Sequence, residues 1–481
     1  MNPLYSEFKR KFSVSMYKNM QITLGEMNFL KDFVNDTRGD LYPVFEKSED
    51  AAERVCDNRY HVERGSVERV FCQFFPFATY EVEAERAEGE VGFVFRLPEA
   101  VARVTVVRDG GAAALSYKCC EHTEKIELPE SFKENSPWLV TCRPGFFDIY
   151  YRVNGGAVYL TTVDEPLFAE SNRYTSFKNG NVSLVACGRI SVIKATSALD
   201  NGVSIADFRP IKYEDGTLIQ EGGKVFFTAS VRTHAGNYQS IFSWVPGTMH
   251  FEMTGILFFD HGDGFWRGYI ASCLLYHREK KLWYVWVSSF EHDHILAYGS
   301  FAGDPRFGVG VADVTIMERA TEGAKFTDFL GFFRDEDPDL TYDAERDRWL
   351  LAICRIDRER RSYRYVFFES DDPFKNFKCI GCGVQQDTAE TGGSFVRARG
   401  ELHFVCGNSF ERRSEYRIYN KDGMKLARFR YADGGFRGWG CVMPVTLGSR
   451  ERYFWLTFDR HNGSGYNWSY GNVYCFEAEE E

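Results

Sequence analysis

The segment DEDPDLTYDAERDRWLLAICR (Asp335 to Arg355) puts four carboxylates, Asp335, Glu336, Asp337 and Asp339, into five positions broken only by Pro338. A turn and an apolar run follow at once. Two further acids stand in comparable settings, Asp207 in ADFRP and Glu390 in AETGG. Acids that converge from such separated places suit the cleavage of a glycosidic bond. One carboxyl must be protonated, to hand a proton to the leaving oxygen. A second must be ionised, to activate water or attack the anomeric carbon. Like-charge crowding and partial burial separate their pKa values, so acid and base coexist near neutral pH. A third carboxylate raises and orients the acid. Asp207, Asp337 and Glu390 form the candidate set. The plainer reading of each is a solvated turn or loop acid, as most acidic runs are.

Arginine is the second theme. Arg209, Arg232, Arg267, Arg334, Arg355, Arg437 and Arg460 lie at the leads or ends of strand-like runs. Such guanidinium groups either balance the acids or hold a substrate carboxylate bidentately, which makes an anionic sugar one expected substrate class. Trp266, Trp439, Tyr466 and Trp468 stand beside Gly-rich segments, where aromatic faces stack on sugars. TFDRHNGSGYNWSYGN (Thr457 to Asn472) reads as a loop that closes the pocket, with His461 in it. The expected substrate contacts are therefore Arg209, Arg232, Trp266, Arg267, Arg437, Trp439, Arg460 and His461. Cys379 and Cys382 form a lone CxxC, too little for a zinc site. The chain lacks a Walker loop, a dinucleotide fingerprint, HExxH and a nucleophile elbow, so no cofactor and no catalytic metal is expected. A structural ion such as calcium on a central axis is the one exception left open.

Position is what these residues need. From about residue 200 the chain repeats one grammar: a charged or Gly-rich lead, an apolar strand, a polar turn, a second apolar strand. GFWRGYIASCLLYHREKKLWYVWVSSF and FRGWGCVMPVTLGSRERYFWLTFDR are two of five such units. Taking Asp207, Arg267, Asp337, Glu390 and Arg437 as markers, the spacing is that of a four-stranded blade. This predicts a five-bladed β-propeller over 199–481, whose innermost strands bring the lead segments to one mouth. Residues 66–198 read as short alternating strands, with VNGG as a hairpin turn, and predict a β-sandwich. Residues 1–65 show no clear period and are expected to pack on that sandwich. The fold class is all-β.

The ADFRP lead with its DG turn, the DEDPD element and the AETGGSFVRARGELHFVCGNS element together resemble the five-bladed glycosidases, the arabinanase and β-xylosidase group with its invertase relatives. The preceding segment looks like a concanavalin-like sandwich. The resemblance implies a glycoside hydrolase with Asp207 as base or nucleophile, Asp337 as supporting carboxylate and Glu390 as acid. It departs in the insertion of Phe208 and Arg209 before Pro210, and in a sandwich that precedes the propeller.

Composition narrows the alternatives. A net charge of -11 argues against nucleic acid as partner. No run of apolar residues is long enough to span a membrane. The N-terminus has no apolar h-region, and the 13 cysteines form no disulfide framework, so the cytoplasm is the expected compartment. The expected partner is an oligosaccharide or glycoside, with self-association left open. Two rival functions remain: a propeller lyase acting on uronate sugars, and a carbohydrate-binding protein without turnover.

Overall fold

The computed structural model describes residues 3–15, 31–36, 42–109, 112–133, 135–154, 156–199, 204–233, 236–289, 295–317, 333–357, 362–383, 390–408, 415–421, 426–431, 439–458 and 472–478. Most of them lie in strands. Among the described residues no helix is long and apolar enough to cross a membrane.

Five blades, each built on four strands paired antiparallel, make up the C-terminal part; the sheet of blade 1 carries two further strands and that of blade 2 one. Blade 1 runs Ser204–Pro210, Lys224–Thr233, Gly236–Trp244, Phe251–Asp260. Blade 2 runs Ile270–His277, Leu282–Ser289, Ile295–Phe301, Thr315–Ile316. Blade 3 runs Phe333–Asp343, Arg348–Asp357, Ser362–Ser370, Lys378–Cys382. Blade 4 runs Glu390–Ala398, Glu401–Asn408, Glu415–Asn420, Leu426–Tyr431. Blade 5 takes Cys441–Leu447, Arg450–Phe458 and Asn472–Ala478 from the end of the chain, and its outer strand, Glu7–Ser15, from the beginning. The second strands are continuous apolar runs such as LWYVWV because neighbouring blades cover both of their faces. Trp286 and Trp455 are fully buried in this way.

The first strand corrects an expectation. Glu7–Ser15 does not pack on a sandwich. It pairs antiparallel with Asn472–Ala478 and parallel with Leu426–Tyr431, joining blades 4 and 5 into one eight-stranded sheet. The ring is thus closed by the two ends of the chain, and no free edge is left at that seam. Phe8 is fully buried there, edge-on to Trp455 at 6.4 Å.

Between that strand and blade 1 the chain builds a second body, a 13-stranded sheet. Its spine is two 19-residue strands, Ala78–Arg96 and Asn181–Leu199, paired along their length. Gly89 faces Gly188 at the middle of that pair, and a Cβ on Gly89 would meet the Cys187 carbonyl oxygen at 2.0 Å. One edge of Ala78–Arg96 pairs first with Trp138–Arg143 and then with Val101–Asp109, so the sheet divides into two wings. The wings face each other across Phe95 and Phe147 (5.2 Å), Tyr117 and Phe147 (5.8 Å), and Phe93 and Trp138 (6.0 Å). In place of a sandwich of two separate sheets there is one continuous sheet folded on itself. Val44–Lys47, Ala52–Cys56 and Arg59–Arg64 belong to it. The sheet docks on blade 1 through an aromatic cluster: Phe75, Phe77 and Phe177 against Phe258 and Trp266.

Closure by the first strand predicts that Phe8→Ala costs about 3–5 kcal/mol, the usual range for a buried Phe. Chemical denaturation of the full chain measures it. A loss under about 1 kcal/mol would mean the strand contributes little to holding the ring.

Candidate functional site

The five innermost strands share one local device. Each has a residue with left-handed backbone where the strand bulges or begins: Asp207 (φ 53°), Ala271 (56°), Asp337 (51°), Gly392 (64°) and Trp439 (53°). In blades 1 to 4 the pairing register shifts across that residue. A bulge of this kind frees one residue from the ladder and re-aims it. The freed backbone groups are stitched to neighbouring blades. Phe208 N–H donates to the Trp439 carbonyl (3.0 Å), Asp337 N–H to Ser288 Oγ (2.9 Å), and Gly440 N–H to the Tyr416 hydroxyl (2.9 Å). Ala271 N–H donates to Ser230 Oγ (2.9 Å). The five positions form a layer around the axis, and two of them are aspartates.

Asp337 is held from two sides. Its Oδ2 accepts from Gly392 N–H at 2.9 Å, and its Oδ1 lies 3.5 Å from Nη2 of Arg209. The Tyr365 hydroxyl donates to its carbonyl at 3.4 Å and accepts from Gly393 N–H at 2.5 Å. Below this layer Lys212 reaches across the axis to the Asp339 carboxylate and to the Phe395 carbonyl (3.5 Å). Phe395 N–H also donates to Asp339, at 2.7 Å. Arg209, Lys212 and Asp339 are closed to solvent, whereas Asp207 and Asp337 keep 7% and 5% of their surface.

Burial decides the electrostatics. Loss of water pushes the Asp337 carboxyl up to about 7; Arg209 opposes this, and Glu336 and Asp207 add to it. A carboxyl that is protonated near neutral pH therefore stands beside a second carboxyl on the same layer. Burial works against the charge on Arg209, but Tyr365, Asp337, Asp339 and Asp207 more than offset it, so the guanidinium stays charged.

Glu390 sits elsewhere, and this corrects its expected place. The residue of blade 4 equivalent to Asp207 and Asp337 is Gly392, two positions later. Glu390 instead matches Asp335, which turns from the axis to Arg355. The Glu390 carboxylate is fully buried between blades 3 and 4. It accepts from Arg417 Nη1 (2.6 Å), from the Tyr419 hydroxyl and from Tyr365 N–H (3.4 Å). Its chemistry is that of a buried ion pair that braces the strand carrying Gly392. A group so committed is not placed to protonate a leaving oxygen.

Other expected contacts divide. Trp439 is on the axial layer, its indole N–H bonded to Thr391 Oγ1. Trp266 is not at the mouth. It stacks on Tyr174 (5.7 Å) and packs edge-on to Phe177 (5.0 Å) in the interface with the 13-stranded sheet. Arg267 pairs with Asp263 in the same loop (2.7 Å). Arg232 ends the second strand of blade 1, opposite Ser204, and its side chain lies outside the described residues. Arg437, Arg460 and His461 also lie outside them. Sequence reasoning missed Lys212, Tyr365, Arg417 and Tyr419. For Arg417 the signal was there, an arginine on the second buried face of EYRIYN. Among the described residues no group of three or more His, Cys, Asp or Glu could hold a metal.

No family model and no curated protein matches the chain. Among solved structures it is similar to an exo-β-1,3-galactanase from Clostridium thermocellum (8% identity, TM-score 0.39), covering 55% of this chain and 58% of that one. It is similar to a thermostable family-43 glycoside hydrolase (12% identity, TM-score 0.38; 58% and 90% covered). A third is an α-L-arabinofuranosidase from Podospora anserina (10% identity, TM-score 0.39; 58% and 92% covered). The blades are counted from the strand pairing above, independently of these likenesses.

Two outcomes follow from the geometry. The folded chain binds the Asp337 proton more tightly than the unfolded chain does. That contribution to stability is fully present below the ordinary aspartate range and is lost as pH rises through about 7. The melting temperature should therefore fall between about pH 5 and about pH 8, and Asp337→Asn should flatten the fall. An equal fall in both proteins contradicts the shift. At Gly392 a Cβ would meet the Trp439 Cα at 2.3 Å and the backbone is left-handed. Gly392→Ala should cost about 2 kcal/mol or more by denaturation; an unchanged midpoint would contradict the close approach.

Proposed function

We propose that the chain is a glycoside hydrolase in which Asp337 is the general acid and Asp207 the base or nucleophile. The observation that supports this best is the pair itself: two carboxyls on one axial layer of a propeller, one of them pushed up to about 7. In this reading Asp337 gives its proton to the departing glycosidic oxygen. Asp207 takes a proton from water or bonds to the anomeric carbon. Trp439 offers an aromatic wall at the same level. The Glu390–Arg417 pair fixes the strand from which Gly392 N–H supports Asp337.

One observation favours a second reading. The third carboxyl expected on the layer is turned away and closed to solvent, which suits a sugar-binding propeller without turnover. Assay on a panel of nitrophenyl glycosides and oligosaccharides separates the two. Hydrolysis should occur, and Asp337→Asn and Asp207→Asn should each lower kcat by about 10²–10⁴-fold while sugar binding persists. The rate should fall as pH rises through about 7, where Asp337 loses its proton. Binding with no turnover on any substrate would leave the binding protein. Products that absorb as unsaturated uronates would indicate the lyase.

A further inference from the structure

The axial layer holds one group that the proposed reaction leaves unexplained. Arg209 is fully buried, yet its Nε, Nη1 and Nη2 have no hydrogen-bond acceptor among the described residues. Its neighbour Asp337 lies 3.5 Å away at Oδ1 and has already committed Oδ2 to Gly392 N–H. Asp339, the next acid, is taken by Lys212 and by Phe395 N–H through Oδ2. Removing a guanidinium from water without giving its N–H groups acceptors is costly, and such a group in a folded protein calls for a partner. The planar fork of five donors is matched best by a carboxylate or a phosphate.

Charge chooses between them. Arg209 and Lys212 face Asp207, Asp339 and Asp337 across the axis. Glu336 adds a further carboxylate next to Asp337. A singly charged carboxylate meets less repulsion beside these acids than a doubly charged phosphate does. We infer that the centre selects a sugar that carries its own carboxylate, a uronate, and that Arg209 is the residue that recognises it. This rests on the reading of the centre as a sugar site. Arg209 is closed to solvent, so the ligand carboxylate reaches it when the Asp337 side chain yields its place, a rotamer change common on binding.

Calorimetric titration of the full chain tests this on the ligand side. Glucuronate and galacturonate are compared with glucose and galactose, with the corresponding uronamides, and with acetate. The uronates should bind at least about tenfold more tightly than either neutral form, and acetate should not compete with them at matched ionic strength. Equal binding of acid, amide and neutral sugar overturns the inference. So does acetate competing as well as a uronate, since that would be an anion site with no use for a sugar. Arg209→Met should abolish the preference, and its survival in the folded variant is equally contrary. If that variant does not fold, the acid and amide comparison on the unaltered protein decides. The two readings fail separately: a uronate preference without cleavage of any glycoside removes the hydrolase, and cleavage of neutral glycosides without the preference removes only this inference.

Discussion

A guanidinium and a carboxyl, Arg209 from blade 1 and Asp337 from blade 3, face each other 3.5 Å apart across the axis of a ring of sheets. Arg209 is closed to water and Asp337 nearly so. Arg209 could not stand there alone, because an uncompensated buried charge costs several kcal/mol, and the acids around it, Asp337, Asp339 and Asp207, offset that cost. The ring must therefore close tightly enough to bring separate blades together, and each blade must supply a matching group at the right height. The left-handed bulge on the innermost strands meets the second demand. It turns Asp207 and Asp337 onto one layer and presents Gly392 N–H to the latter. Closure by Glu7–Ser15 meets the first.

Three of the four acids at DEDPD have partners of their own. Asp335 goes to Arg355 in the next strand of its own blade. Asp337 goes to Arg209 and Gly392 from two other blades. Asp339 goes to Lys212 and the backbone of Phe395. Adjacent like charges are tolerated because the bulge sends them in different directions to separate partners. Asp337 has its cation 3.5 Å away, whereas Asp335 and Asp339 have closer ones, and burial lifts its pKa. A single stretch thus holds one carboxyl with a raised pKa beside two paired ones.

Much of this was legible before any coordinates. The five units announce themselves because each blade needs two apolar strands joined by a polar turn, and that rhythm is local. The alignment of Asp207 with Asp337 is local too, since each has a proline close behind it. Glu390 was misplaced by two residues because the bulge, not the acid, sets the register, and only the glycines of AETGG hint at where it falls. The strand Glu7–Ser15 alternates as a strand should, but its partner lies at the other end of the chain, where no local pattern can point. Trp266 and Arg267 carry the Gly-rich, aromatic texture of a ligand wall, which the docking of a second sheet uses equally well. Lys212 and Arg417 show the same limit. A lone cation in a strand declares a buried partner without saying which.

The central claim is that Asp337 holds a proton at a pH where ordinary carboxyls have lost theirs. Infrared difference spectroscopy of the carboxyl stretch, with Asp337→Asn as the subtraction, measures this directly. The account predicts one protonated carboxyl that persists above the usual aspartate range, titrates around pH 7 and is missing from the variant. A difference spectrum in which Asp337 is ionised throughout, with the fold intact, would contradict it.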